Sequence, residues 1–258
     1  MTRALLWSKG FAVIVGLALV VPILAVVPVA FSERSFVRLP PESYSLRWWN
    51  AFLADASWRN ALITSLQVAT LSSIIAVMTG TAAALGIQKL GPAGRKIATG
   101  LFLGPAVAPV IVLAVGLYAL ARATGLVGSL TGLVIAHTML ALPYAVLNIG
   151  VSVAAVDPRL AMAAAGLGAG HWRIFRTITL PLILPGVVGG AVFAFVTSFD
   201  EVVLAIFLSG PRVKTLPVRI WEEIRVEYTP VVAVAATIMV ALALLGAAAS
   251  RLVSRRGQ

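Results

Sequence analysis

The amino-acid sequence predicts an all-α polytopic membrane protein with six transmembrane helices, on three observations. Hydrophobic residues make up 60% of the chain and charged residues 11%, a balance outside that of soluble domains. Mean hydropathy is +1.01. Six apolar runs, near 10–31, 60–87, 97–121, 129–153, 182–208 and 230–250, each reach the roughly 20 residues that a helix needs to cross the hydrocarbon core. The connections are short except at about 32–59, 154–181 and 209–229, so residues 1–258 read as one transmembrane domain. Cysteine is absent, which excludes disulfides, thiolate metal sites and iron–sulfur chemistry.

Arg3 and Lys9 precede the first run as in a secretory signal, but the run from 10 to 31 outlasts the roughly 7–15 apolar residues of a signal peptide. It reads as a span. Residues 44–59 then pair Trp48 with Phe52 and Trp49 with Leu53 at helical spacing. A short amphipathic helix at the outer interface is expected, its rings at headgroup depth; receiving a binding protein is the alternative role. In the third span Pro105 and Pro109 each remove a backbone donor. Such openings persist in a membrane only where protein or a water-filled cavity satisfies the freed groups, so they either line a pathway or make a packing kink, as does Pro143 in the fourth span. The pairs Gly100/Gly104, Gly128/Gly132 and Gly186/Gly190 allow close helix approach.

Six spans return both ends to one side. With the N-terminus inside, the inner segments hold Arg3, Lys9, Lys89, Arg95, Lys96, Arg159, Arg173, Arg176, Arg251, Arg255 and Arg256 against one acid, Asp157. The outer segments hold Arg34, Arg38, Arg47, Arg59, Arg122, Arg212, Lys214, Arg219 and Arg225, with Glu33, Glu42, Asp55, Glu222, Glu223 and Glu227. The inner bases hug the membrane ends in short loops, which favours cytoplasmic termini. The net charge of +11 is that of a chain whose bases meet anionic lipid headgroups; no basic stripe interleaved with aromatics points to nucleic acid.

The loop from Asp157 to Pro181 is the least ordinary stretch. Asp157 suits a helix N-cap and Pro158 the first helical position. Good helix formers follow, until Gly166, Gly168 and Gly170 interrupt; Gly168 or Gly170 would take the left-handed conformation that ends a helix. A second short helix is expected from His171 to about Thr177. Ala161, Ala163, Ala164 and Ala165 give a small-residue face and Trp172 and Phe175 an aromatic end, a surface that fits a socket in another protein.

Asp200 and Glu201 stand inside the fifth apolar run, with Ser198 and Phe199 before them. A carboxylate at the bilayer centre costs roughly 2.5–3.5 kcal/mol on insertion scales. The two acids therefore line a pathway that attracts a cationic solute, or are satisfied structurally, by a neighbouring helix or by Arg122 or Arg212. About 100° separates adjacent helical side chains, so one of the two would face a cavity. His137, in the fourth span, is expected to hydrogen-bond a neighbouring helix, and His171 to sit in the loop's contact surface; neither reads as a metal ligand.

Met162-Ala163-Ala164, Gly168, Ile178 and Leu180-Pro181 match the spacing of the EAA loop, and the loop resembles that of permease subunits of type I bacterial ABC importers. Met162 replaces the motif's Glu. The fifth span and the loop after it resemble those of polyamine-type permeases, as does the second span, so that the likeness covers most of 44–250; Val110 follows Pro109 where those permeases often carry an acid. The resemblance implies the type I importer fold, with Ala163, Ala164, Leu167, Gly168, Ala169, His171 and Trp172 docking on a cytoplasmic ATPase dimer. It implies a second permease subunit, an extracytoplasmic substrate-binding protein, a bacterial inner-membrane location, and ATP and Mg on the ATPase alone. Gly91-Pro-Ala-Gly-Arg-Lys96 lacks the spacing of a phosphate-binding loop, so no cofactor is expected on this chain. The contrasting readings are a stand-alone ion- or proton-coupled carrier using Asp200, Glu201 and His137, and an intramembrane enzyme, for which no Ser/His dyad, paired-aspartyl signature or zinc-ligand helix is present.

Overall fold

The computed structural model describes residues 2–35, 39–226 and 229–256; Arg38 and Glu227, counted above with the outer charges, lie outside them. Helices follow one another in the order α1 (Thr2–Val29), α2 (Arg47–Ala54), α3 (Ala56–Gln88), α4 (Pro92–Val107), α5 (Val110–Ala123), α6 (Leu130–Ala155), α7 (Pro158–Gly166), α8 (His171–Ile174), α9 (Leu180–Phe199), α10 (Val203–Leu208), α11 (Leu216–Val226) and α12 (Val231–Arg256). A π-helical turn, Phe175–Thr179, joins α8 to α9. Outside the helices, Ser32 and Tyr44 form a lone antiparallel bridge.

Among the described residues five helices are long and apolar enough to cross a membrane, or six when the bent pair α4 and α5 counts as one span. All six expected apolar runs are helical, two of them in altered form. The third is bent by 96° between Val107 and Val110. Pro105 is accommodated within α4, and the bend falls at Ala108-Pro109, both extended: Pro109 has no N–H to continue the ladder and disfavours a helical residue before it. The fifth, expected to run unbroken from 182 to 208, stops at Phe199 and restarts as the short α10.

The chain divides into two compact units. One comprises residues 1–60 and 219–242. Within it the Phe11–Val29 stretch of α1 leaves nearly its whole apolar surface exposed, as suits a helix facing hydrocarbon. The aromatic residues of α2 depart from expectation. Trp48 and Phe52 are buried, and Phe52 packs on the buried Trp58 with ring centroids 5.7 Å apart. They fasten α2 to protein. Arg219 lies 4.6 Å over the Trp58 ring and pairs with Glu223 at 2.8 Å, and Glu223 accepts from Thr229.

The other unit comprises residues 61–218 and 243–258. Its spine is the pairing of α6 with α9. Small residues make that pairing close. A Cβ added at Gly186 would lie 2.8 Å from the Asn148 carbonyl oxygen and 2.6 Å from Ser152 Cβ, and one at Gly190 would lie 3.3 Å from Ala145 Cα. These are backbone-to-backbone approaches that a larger residue forbids. Ile149 and Ile183 are fully buried beside them, in a cluster with Ala141, Ala145 and Ala194. A second cluster unites α5, α6 and α10 around Leu117, Leu133, Leu140, Leu204 and Leu208. Ser72 ties α3 to α6 by donating to the Val134 carbonyl at 3.1 Å.

Candidate functional site

Two places in the second unit carry the expected site residues, and they lie at opposite ends of α9. At its start is the loop. The Asp157 carboxylate accepts the Arg159 N–H at 2.8 Å and Pro158 opens α7, the capping that satisfies the free amides of a helix start. At the other end of α7, the Ala169 N–H reaches back to the Ala164 carbonyl and the Gly168 N–H to that of Ala165. This is a Schellman closure, and it requires the left-handed residue that Gly168 supplies with φ of 83°. Gly170, the other candidate, has φ of −69° and precedes α8. The second helix does not stop near Thr177; it runs through the π turn into α9.

The bend presents what a partner could grip. Leu167 at its tip is 90% exposed and Trp172 71%, with Trp172 leaning on Phe175, ring centroids 5.6 Å apart. Ala163, Gly168 and His171 are exposed, and Ala164 and Ala169 half-buried. Met162, exposed, borders an open groove of about 480 Å³ with Leu85, Lys89, Ala165, His171 and Phe175. Arg159, Arg173 and Arg176 are exposed and form no ion pair among the described residues.

At the far end of α9 the two acids separate in role. Glu201 Oε1 accepts the N–H groups of Val203 and Leu204 at 2.6 and 3.0 Å; it caps the first turn of α10. Asp200 ends α9 with φ −96° and ψ −2°. Its side chain is exposed and has no partner among the described residues. Neither Arg122 nor Arg212 pairs with the acids among those residues. Ser198 and Phe199, expected on the pathway beside them, are 3% and 4% exposed. Phe199 stacks on Phe195 with centroids 5.5 Å apart, and Ser198 meets the fully buried His137, whose Nδ1 is 3.0 Å from both the Ser198 carbonyl and its hydroxyl. Both are packing residues in this conformation. The His137 bond to a neighbouring helix is thus realised. Its partner was not legible, because it lies 61 residues away. The capping role of Glu201 carried a signal: an acid two residues before an apolar helical run.

A six-span helical chain with a capped, glycine-closed bend between α6 and α9 narrows the comparison with known proteins. The family model described as "Binding-protein-dependent transport system inner membrane component" matches residues 5–257. The chain belongs to that family. This inner-membrane component is 31% identical over 248 residues to the spermidine/putrescine transport system permease protein PotC of Haemophilus influenzae, covering 96% of each chain. It is 30% identical to the putrescine transport system permease protein PotI of Escherichia coli, covering 91% of this chain and 86% of that one. Among solved structures, a bacterial ABC transporter involved in the import of the acidic polysaccharide alginate superposes with a TM-score of 0.73 at 15% identity, covering 96% of this chain and 95% of that one. The MetNI methionine ABC transporter superposes with 0.64 at 17% identity, covering 79% and 99%. The fold is that of type I ABC importer permeases, and the chain is an importer permease subunit.

Proposed function

We propose that this permease forms half of the translocation pathway for a cationic, polyamine-class solute, with Asp200 as the pathway acid and the bend at Ala163 to Trp172 as its contact with a cytoplasmic ATPase. One observation carries the reading of the acid. At the α9–α10 break, Glu201 is occupied by backbone amides while Asp200 is exposed and unpaired, and an unpaired carboxylate near a membrane span is a functional site by default. The likeness to polyamine permeases supports a solute of that charge. Solute is delivered by an extracytoplasmic binding protein. ATP binding closes a partner ATPase dimer, whose movement is received at the Gly168 bend. This chain contributes no catalytic group, and ATP and Mg reside on the ATPase. A second, related permease completes the pathway, and both termini are cytoplasmic.

The test is purification of the tagged chain from native membranes, followed by uptake of labelled spermidine into proteoliposomes. The expected result is a complex with an ATPase and a second six-span subunit, and uptake that depends on ATP and on Asp200. Recovery of this chain alone, active without ATP, would replace the proposal with the stand-alone carrier.

A further inference from the structure

The stop at the end of α9 is not written in glycine or proline. From Ala191 to Ser209 the sequence contains neither glycine nor proline, the residues that ordinarily end a helix. An uninterrupted helix would carry the Ser198 carbonyl to the Val202 N–H and the Phe199 carbonyl to that of Val203. One end of each bond is taken by a side chain. The Val203 N–H goes to Glu201 Oε1. The Ser198 carbonyl goes to His137 Nδ1, on α6. A carbonyl only accepts, so this bond forms in the tautomer with hydrogen on Nδ1; the Ser198 hydroxyl lies at the same 3.0 Å. His137 is wholly buried, and its Nε2 has no partner among the described residues. Burying an imidazole with one nitrogen unsatisfied is costly; the bond to Ser198 is what the position gains.

We infer that His137 is a positioning residue: a helix C-terminal cap supplied from the neighbouring span, which fixes where α9 stops and thereby keeps Asp200 outside the helix, exposed and unpaired. Without it, the Ser198 carbonyl regains a partner by letting α9 wind on through Asp200, and the acid leaves its place at the break. The consequence for transport rests on the pathway reading of Asp200; the consequence for the position of residue 200 does not.

The absence of cysteine gives a clean test. Asp200→Cys in the full-length chain, assembled in its importer in membrane vesicles, is labelled with a water-soluble maleimide. Rapid labelling is expected. Adding His137→Leu slows it by about tenfold or more, and His137→Asn, whose amide N–H stands near the place of Nδ1, restores it to within about threefold. Ser198→Ala leaves it unchanged, because the carbonyl remains. Should leucine at 137 not assemble, His137→Gln, which moves the donor to the far end of the ring's position, serves in its place. Labelling that is indifferent to residue 137, or a Ser198→Ala effect equal to that of His137→Leu, overturns the cap. If instead the labelling pattern holds while Asp200→Asn imports spermidine normally, the pathway reading fails and the cap stands.

Discussion

The division of labour between adjacent acids yields an opposed pair of outcomes. Glu201→Ala removes two hydrogen bonds to a charged acceptor, at 2.6 and 3.0 Å. Bonds to charged groups are worth roughly 1.5–3 kcal/mol each, and water entering an exposed break returns part of that, leaving a loss of about 2–4 kcal/mol. For a chain of this size about 2–4 °C accompanies each kcal/mol, so the melting temperature of the purified importer falls by roughly 4–16 °C. Glu201→Gln keeps an acceptor oxygen at the same reach and loses only the charge, about 1–2 kcal/mol. Asp200→Asn breaks no bond and leaves the melting temperature within about 1 °C. Its effect is on uptake: one solvent-screened charge contributes about 1 kcal/mol, so KM for spermidine rises about fivefold or more. The assays are intrinsic tryptophan fluorescence on heating in detergent, and uptake into proteoliposomes. A Glu201→Ala importer with unaltered melting and a raised KM would refute the reasoning, because Glu201 would then be a solute contact and not a cap.

Three further outcomes follow from the same geometry. Gly168→Trp forces a bulky residue into a backbone with φ of 83° at an exposed bend; ATP-driven uptake is lost while the chain still inserts, and normal uptake would sink the docking role of the bend. Gly186→Val places a side chain where a lone Cβ already lies 2.8 Å from the Asn148 carbonyl, so overpacking costs about 1–3 kcal/mol, read as a lower melting temperature, whereas Gly100→Val, with open space around it, leaves melting unchanged. Arg219→Ala removes both the Trp58 contact and the Glu223 pair, partly buried interactions together worth about 1–3 kcal/mol; Arg219→Lys, which loses the planar stacking, recovers only part, as measured by the same melting curves.

Much of this was legible in the chain itself. Hydropathy is a local, additive property, and it located all six spans. The bend was equally readable, because Asp157, Pro158 and Gly168 each answer to the backbone of their own neighbourhood. What the sequence concealed are features set by distant contacts. The run FVTSFDEVVLAIFL reads as one span, and its interruption depends on His137 in another helix. Trp48 and Phe52 have the spacing of an interfacial helix, yet both are buried in protein, Phe52 against Trp58. Ser198 and Phe199 were placed on the pathway by proximity to the acids, but successive residues at a helix end point in different directions, and theirs is inward. For Pro105 and Pro109 the pattern left the bend's position open; Ala108, held extended before Pro109, settled it.

The α6–α9 pair is fastened at two levels: small residues bring Gly186 against Ser152, and His137 grips Ser198 where α9 ends. The two points stand 12 residues apart on the 20-residue α9, about 18 Å at 1.5 Å per residue. A rod pinned to its neighbour at two such points does not flex independently of it between them; there the two turn as a single beam. On the docking role proposed above, a displacement imposed at the Gly168 bend travels to Asp200 along this beam, and it first crosses the five-residue π turn, Phe175–Thr179, where the regular hydrogen-bond ladder is already widened. On that proposal, the stiffness of this turn governs how much of a push at the bend is carried along α9.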